Sequence, residues 1–163
     1  MERSPQGGKN TSRFGKLLAE LARSQVDFAV VGGLAVIFNG YERLTLDADI
    51  IVDDSPVNIR RLLDCLSNWG EGWARDLTPE DFTPQEGSIR VMEEFDLDMF
   101  TRLRGKSLDD FRPRLRQLRI GEDSIAYLAP EDLIFLKQNS WREKDQLDVA
   151  AMREKIAKEQ AGK

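Results

Sequence analysis

The sequence predicts an α+β fold within a single domain. Segments with strand patterns, at 26–31, 45–52 and 88–102, alternate with segments of helical spacing, and two further helices are predicted at 130–141 and 142–156. A length of 163 residues is enough to bury one ordinary hydrophobic core. We expect residues 12–160 to form the domain and the polar residues 1–11 to be a disordered leader.

The first three elements are predicted by spacing and by glycine. A helix over Ser12–Ser24 carries its apolar residues on one face, and VDFAVV at 26–31 is typical of a buried strand. LAVIF follows Gly32 and Gly33 and is closed by Asn39-Gly40, which predicts a helix of about two turns.

The next two elements are a strand and a capped helix. Residues Thr45 to Val52 alternate, which places Leu46, Ala48 and Ile50 on one face and two aspartates, Asp47 and Asp49, on the other. Ser55 as N-cap and Pro56 at the first helical position predict a helix that continues to about Trp69.

The central part of the sequence predicts a loop and further strands. Residues 70–87 are polar and contain two prolines, so we expect a loop with at most a turn of helix. SIRVME and EFDLDMFTR predict two strands that can pair as a hairpin, the second with Phe95, Leu97 and Met99 on its core face. Leu108–Leu118 predicts a short helix interrupted at Pro113, and SIAYLA predicts a last strand.

Composition excludes several kinds of chemistry. Histidine is absent, which excludes Ser-His-Asp triads and imidazole-held zinc within the chain. The single cysteine, Cys65, cannot form an internal disulfide and is expected in the core, in agreement with a reducing cytoplasm. No apolar run reaches the length of a membrane span, so we expect a cytoplasmic protein without membrane contact.

Three aspartates form the candidate metal site. Asp47 and Asp49 project from the same strand face, and Asp98 lies on a later strand with the same alternation. At about 5 Å and an effective dielectric near 20, each pair of these charges would repel by roughly 3 kcal/mol, so a cation is expected among them. Oxygen ligands alone favour Mg²⁺ or Mn²⁺, which share phosphate oxygens with a substrate.

The two glycines supply a candidate phosphate site. Gly32 and Gly33 end a strand and open a helix, where free backbone N–H groups can approach an anion with no Cβ in the way. A triphosphate held there would lie near metal ions on the three aspartates. This arrangement is typical of two-metal nucleotidyl transfer.

Two motifs resemble a known family. GGLAVIFNGYERLTLDADIIV is similar to the G-G-x-A … R-x-T-x-D-x-D pattern of minimal nucleotidyltransferases in the polymerase-beta-like superfamily, particularly the AbiEii toxin-related group. YLAPEDLIFLKQNSWREKDQLDVAAM resembles the paired C-terminal helices of that group. The resemblance implies a nucleotidyltransferase-like mixed β-sheet flanked by helices, with C-terminal helices, and transfer of a nucleoside monophosphate from an NTP to an RNA, protein or small-molecule acceptor.

The resemblance also implies roles for individual residues. Gly32 and Gly33 would take the triphosphate, Asp47 and Asp49 would ligate the metals, and Asp98 would be the third carboxylate and the base. Asp96 shares the face of Asp98 and stays an alternative. The other candidates are a phosphate contact or a surface ion pair for Arg43, a turn-supporting role for Thr45, and a phosphate or carboxylate partner for Lys137.

Two further features concern partners. Seven basic residues between Arg102 and Arg119 would either guide an RNA acceptor or form a solvated face. Lys144 and Asp145 are as well explained by a charged helix surface. The family resemblance adds a toxin or antitoxin partner, with catalysis or, alternatively, with contact alone by a silent binding module.

Overall fold

A six-stranded mixed sheet forms the centre of the protein, which a computed structural model describes over residues 8–162. The strand order across the sheet is β3-β4-β2-β1-β6-β5. The strands are β1 (Phe28–Val31), β2 (Asp47–Val52), β3 (Ile89–Met92), β4 (Asp96–Phe100), β5 (Arg116–Ile120) and β6 (Asp123–Tyr127). The helices are α1 (Gly8–Arg23), α2 (Gly32–Phe38), α3 (Pro56–Leu66), α4 (Leu108–Phe111), α5 (Pro130–Lys137) and α6 (Glu143–Ala161).

The sheet is mixed because β2 pairs with one neighbouring strand in the antiparallel direction and with the other in the parallel direction. β1 and β2 are antiparallel, with Val31 opposite Asp49, whereas β2 and β4 are parallel, with Asp49 opposite Asp98. β3 pairs with β4 as the antiparallel hairpin that the sequence predicts. The parallel β2–β4 pair is the feature that brings the distant aspartates together.

One face of the sheet is closed by aromatic and aliphatic packing. The Phe14 ring of α1 meets the Phe95 ring edge-on with centroids 4.6 Å apart, and the centroids of the Trp69 and Phe95 rings are 5.1 Å apart. Leu97 and Met99 are completely buried on the same face of β4. Each such side chain contributes roughly 1.5–3 kcal/mol by leaving water, so this face fixes the register of β4.

The start of α3 confirms the predicted cap. The Ser55 side chain accepts a hydrogen bond from the Asn58 backbone N–H at 3.4 Å, and Pro56 occupies the first turn. The buried Asn58 amide then donates to the carbonyls of Asp27 and Asp53 and so joins this helix to the ends of β1 and β2. The helix ends at Leu66, ahead of Trp69, and 3₁₀ turns follow at Trp73–Asp76 and Pro79–Asp81.

Three sequence-based predictions need correction. Leu46 is 76% exposed and precedes β2, because the strand begins only at Asp47. The segment predicted as a helix to Leu118 ends its α-helical part at Phe111, and residues from Arg116 onward form β5, because they pair along the whole of β6. Cys65 is only half-buried at the edge of the core.

The N-terminal prediction lies partly outside the described residues. Residues 1–7 of the predicted leader are not described, and α1 begins at Gly8, ahead of the predicted start at Ser12. Among the helices described between residues 8 and 162, none combines the length and the apolar character needed to cross a bilayer.

Candidate active site

The three predicted aspartates lie together on one face of the sheet. Asp47 and Asp49 alternate with the fully buried Ala48 on β2, and Asp98 is the direct cross-strand neighbour of Asp49 on β4. Neighbouring strands are about 4.8 Å apart, so the Asp49 and Asp98 carboxylates start from adjacent positions. Asp96 stands beside Asp47 in the same register. The sequence-based expectation that sheet pairing would join these residues is confirmed.

The environment of Asp49 strongly perturbs its carboxyl. The pKa of its carboxyl is raised to about 7, first by burial and then by the neighbouring charges of Asp98 and Asp47. Lys137 and Arg90 lower this pKa but do not cancel the effect. The raised pKa means that the charged carboxylate is unfavourable in this environment. A cation bound beside it would stabilise the charged form.

The glycines at the end of β1 leave room for side chains of the site itself. Gly32 has a φ of 64°, and a Cβ there would overlap the carboxylate of Asp49. A Cβ on Gly33 would overlap the guanidinium of Arg43. From the sequence, the only reason for glycine at these two positions was room for a phosphate. The fold adds a second reason, because the side chains of Asp49 and Arg43 occupy the space that a Cβ would need.

Arg43 is held by a fully buried carboxylate on α6. Its Nη2 donates to Asp148 Oδ2 at 2.9 Å, and its Nε lies 2.9 Å from Oδ1 in an ion contact that lacks hydrogen-bond alignment. Its Nη1 donates to the Leu44 carbonyl at 2.8 Å. Of the two interpretations left open, an ion pair is therefore present, but with a buried acid and not with a surface acid.

Lys137, at the end of α5, lies between two carboxylates of α6. Its Nζ is 2.9 Å from Asp145 Oδ1 and 3.0 Å from Asp148 Oδ2. Ser140 donates its hydroxyl to the other oxygen of Asp145 at 2.8 Å, and these contacts hold the pKa of Asp145 below its usual value against its own burial. The carboxylate partner expected for Lys137 is present, and Asp145 is buried and not part of a solvated surface.

Thr45 supports the turn that enters β2. Its hydroxyl donates to the Asp47 carbonyl at 3.3 Å, which fixes the backbone immediately before the first aspartate. This contact agrees with the supporting role that the resemblance implies.

Two important residues were missed by sequence reasoning. Asp148 is completely buried and bonds both Arg43 and Lys137, and its i,i+3 spacing from Asp145 was the pattern that could have revealed it. Arg90 stands directly opposite Asp98 on β3 and bonds both of its carboxylate oxygens. The alternation of SIRVM in a predicted hairpin was the signal that could have placed it on the same face as Asp98, although alternation does not give the register.

The basic run between Arg102 and Arg119 is largely engaged within the protein. Five of its members have partners in the chain, which are Asp54 for Arg102, the Phe135 carbonyl for Arg104, Asp27 and Asp109 for Arg112, Asp132 for Arg114 and Glu159 for Arg116. These arginines connect several elements to one another. Their pairing gives most of the run a structural explanation that does not involve nucleic acid.

Comparison with family models identifies the protein family of this chain. The model described as a nucleotidyltransferase of unknown function (DUF6036) matches residues 13–158, which is most of the chain. The chain belongs to this family. Its position within the nucleotidyltransferase superfamily agrees with the motifs of the β1–α2–β2 region.

Solved structures support the same fold. The lincosamide antibiotic adenylyltransferase LnuA, solved with lincomycin bound, shares 15% identity with a TM-score of 0.60, over 87% of this chain and 95% of that one. A protein of Thermotoga maritima assigned as a nucleotidyltransferase shares 13% identity with a TM-score of 0.55, over 95% and 94% of the two chains.

A third solved structure is similar over a shorter part of its own length. It is an antigenic nucleotidyltransferase-like protein of Paracoccidioides brasiliensis, with 16% identity and a TM-score of 0.50, over 87% of this chain and 76% of that one. At these identities the similarity concerns the fold, which is the nucleotidyltransferase-like α+β fold. A search of curated proteins gave no significant match.

Proposed function

We propose that the protein transfers a nucleoside monophosphate from an NTP to an acceptor hydroxyl, with a divalent ion held by Asp47 and Asp49. The observation that carries this proposal is the β2–β4 register, which places Asp49 next to Asp98 with Asp47 on the same face. The family to which the chain belongs supports the reaction type.

The residues present are suitable for a hard divalent cation. The donors are carboxylate oxygens, and the raised pKa of Asp49 marks a group that a cation would stabilise in its charged form. In the part of the chain that the structure describes, no three acidic, histidine or cysteine side chains are arranged to share one ion. Asp47 and Asp49 are therefore the ligands that we assign, and Asp98 is bonded to Arg90.

The cations around the site are suited to phosphate. Lys137 lies close enough to lower the pKa of Asp49, and Arg43 packs against Gly33 at the opening of α2. We propose that the phosphates of the NTP lie along Gly32, Gly33, Arg43 and Lys137, with the carboxylates of α6 holding the two cationic side chains in position. Mg²⁺ or Mn²⁺, when bound, would neutralise phosphate charge and polarise the reacting phosphate.

In the reaction, the acceptor oxygen forms a bond to the α-phosphorus as the bond from that phosphorus to the bridging oxygen breaks. Pyrophosphate leaves with that bridging oxygen, and the hydroxyl proton passes to Asp98, the base that we propose. Since Arg90 donates to both oxygens of Asp98, an acceptor hydroxyl must first replace one of these hydrogen bonds.

The acceptor is proposed more broadly as an RNA, a protein or a small molecule. One of the solved structures with a similar fold is a lincosamide antibiotic adenylyltransferase, so small-molecule hydroxyls belong in the panel of acceptors to be tested. The AbiEii-like motifs add a role within a toxin–antitoxin pair to this proposal. Internal pairing of most of the basic run gives RNA less support than the sequence alone did.

The test is transfer of label from an α-labelled NTP, in Mg²⁺, to RNA, protein and hydroxyl-bearing small molecules. We expect Asp47→Asn and Asp49→Asn to abolish transfer, while Asp64→Asn, at an exposed carboxylate of α3, leaves it unchanged. Transfer that survives both site substitutions would exclude these aspartates from the mechanism.

A second candidate, a catalytically silent binding module, is favoured by one observation. The cations Arg90, Arg43 and Lys137 are already paired with carboxylates of the protein, so none is committed to a substrate. Calorimetry with ATP and Mg²⁺ distinguishes the two candidates, because a silent module that acts through a protein partner would show no heat of nucleotide binding.

A further inference from the structure

Arg90 makes a two-point salt bridge with the third carboxylate of the site. Its Nε lies 2.8 Å from Asp98 Oδ1 and its Nη2 lies 2.9 Å from Oδ2, so both oxygens are engaged. Its Nη1 also lies 3.4 Å from Asp96 Oδ2. These carboxylates raise the pKa of Arg90 further, which makes it a permanent positive charge at this position.

The backbone fixes this arrangement in place. Arg90 lies on β3 directly opposite Asp98, within a hairpin whose register runs from Ile89 opposite Met99 to Met92 opposite Asp96. Val91, the next residue, is buried and holds the strand against the core. A shift of register by one residue would move Val91 out of the core, so the guanidinium is held at Asp98 by the fold.

A divalent ion on Asp98 would compete with this guanidinium. An ion needs at least one carboxylate oxygen directly, and both oxygens of Asp98 already accept charge-assisted hydrogen bonds in a forked geometry. The ion would also be repelled by a positive charge within a few ångströms. Asp47 and Asp49 have no such two-point partner among the described side chains, so they stay available.

We propose that Arg90 is a built-in cation that takes the place of one divalent ion, so that the site binds a single Mg²⁺ or Mn²⁺ through Asp47 and Asp49. Asp98 then serves the acceptor and not the metal. This inference rests on the proposed function, and it replaces the two-metal arrangement expected from the sequence by a site for one ion. Arg90 acts as a positioning residue, because it acts through Asp98.

The experiment counts bound Mn²⁺ by electron paramagnetic resonance, without nucleotide, in the full-length protein. We expect one bound ion per wild-type chain and two in Arg90→Met, which removes the charge and keeps an unbranched side chain. Adding Asp98→Asn to Arg90→Met should return the count to one. Thermal melts of each variant accompany the titrations, so that only folded protein is compared.

The chain offers a closely matched control. Arg114 also forks onto a buried carboxylate, Asp132, at 2.6 and 3.2 Å, and its side chain is 55% exposed, compared with 48% for Arg90. Arg114→Met removes the same kind of salt bridge without touching the site. We therefore expect it to keep the count at one.

Several results would overturn the inference. It fails if the wild type binds two ions, if Arg90→Met still binds one, or if Arg114→Met gains an ion as well. In each of these cases label transfer by the wild-type protein, and with it the proposed function, is unaffected. Absence of any bound Mn²⁺ together with absence of label transfer would instead reject the metal-dependent function and the inference together.

Discussion

Replacing Asp49 by asparagine should make the stability of the metal-free protein less sensitive to pH. The Asp49 carboxyl titrates near 3.8 in the unfolded chain, whereas its native pKa is raised to about 7 by burial and by two neighbouring carboxylates. Between these values the native protein binds more protons than the unfolded chain. Its free energy of unfolding therefore falls as the pH rises, and the stabilising contribution present below pH 3.8 is lost above pH 7.

The size of the effect follows from the interval between the two pKa values. At about 1.4 kcal/mol per unit, the full loss is on the order of 4 kcal/mol, of which about 2.5 kcal/mol falls between pH 5 and pH 8. Asparagine has no proton to lose. We therefore expect the free energy of unfolding of Asp49→Asn, relative to wild type, to increase by about 2.5 kcal/mol over that interval.

Urea unfolding in EDTA at pH 5 and pH 8 measures this difference directly. Asp64→Asn, at an exposed carboxylate, is the control for the change of charge. A relative stability of Asp49→Asn that stays constant within about 0.5 kcal/mol between the two pH values would refute the reasoning. If Asp49 also binds a divalent ion, Mg²⁺ at pH 8 should increase the free energy of unfolding of the wild type but leave that of Asp49→Asn unchanged.

Two further predictions concern the glycine pair and the buried carboxylate of α6. Gly33→Ala should cost about 2–4 kcal/mol in urea unfolding, because its Cβ displaces the Arg43 guanidinium, whereas Gly15→Ala, whose Cβ would make an ordinary contact at 3.6 Å, should be neutral or stabilising. Equal stability of the two alanine variants would disprove the close approach. Asp148→Asn should cost about 3–5 kcal/mol, since it leaves Arg43 and Lys137 without their shared buried partner, and a loss below 1 kcal/mol in thermal or urea unfolding would contradict that role.

Local patterns predicted most of the secondary structure. The Ser55-Pro56 start of α3, the alternation of β2 and β4, and the β3–β4 hairpin follow from side-chain chemistry within a few residues. The sequence does not predict β5, because none of its residues is fully buried and its apolar pattern is weak. The strand depends on pairing with β6, which no local rule specifies. Leu46 was misplaced because alternation does not reveal where a strand begins.

The candidate site, like the fold, was determined partly by local sequence and partly by tertiary structure. The sequence by itself determined the residue types, since three aspartates on alternating strands and a glycine pair at a strand end are local features, and the absence of histidine is a matter of composition. Only the tertiary structure decided which charges meet. Parallel pairing set Asp98 beside Asp49, the hairpin register set Arg90 on Asp98, and the packing of α6 set Asp148 between Arg43 and Lys137. The 2.9 Å hydrogen bond from Arg43 to Asp148 joins residues 105 positions apart, so its energy was fixed only when the chain had folded.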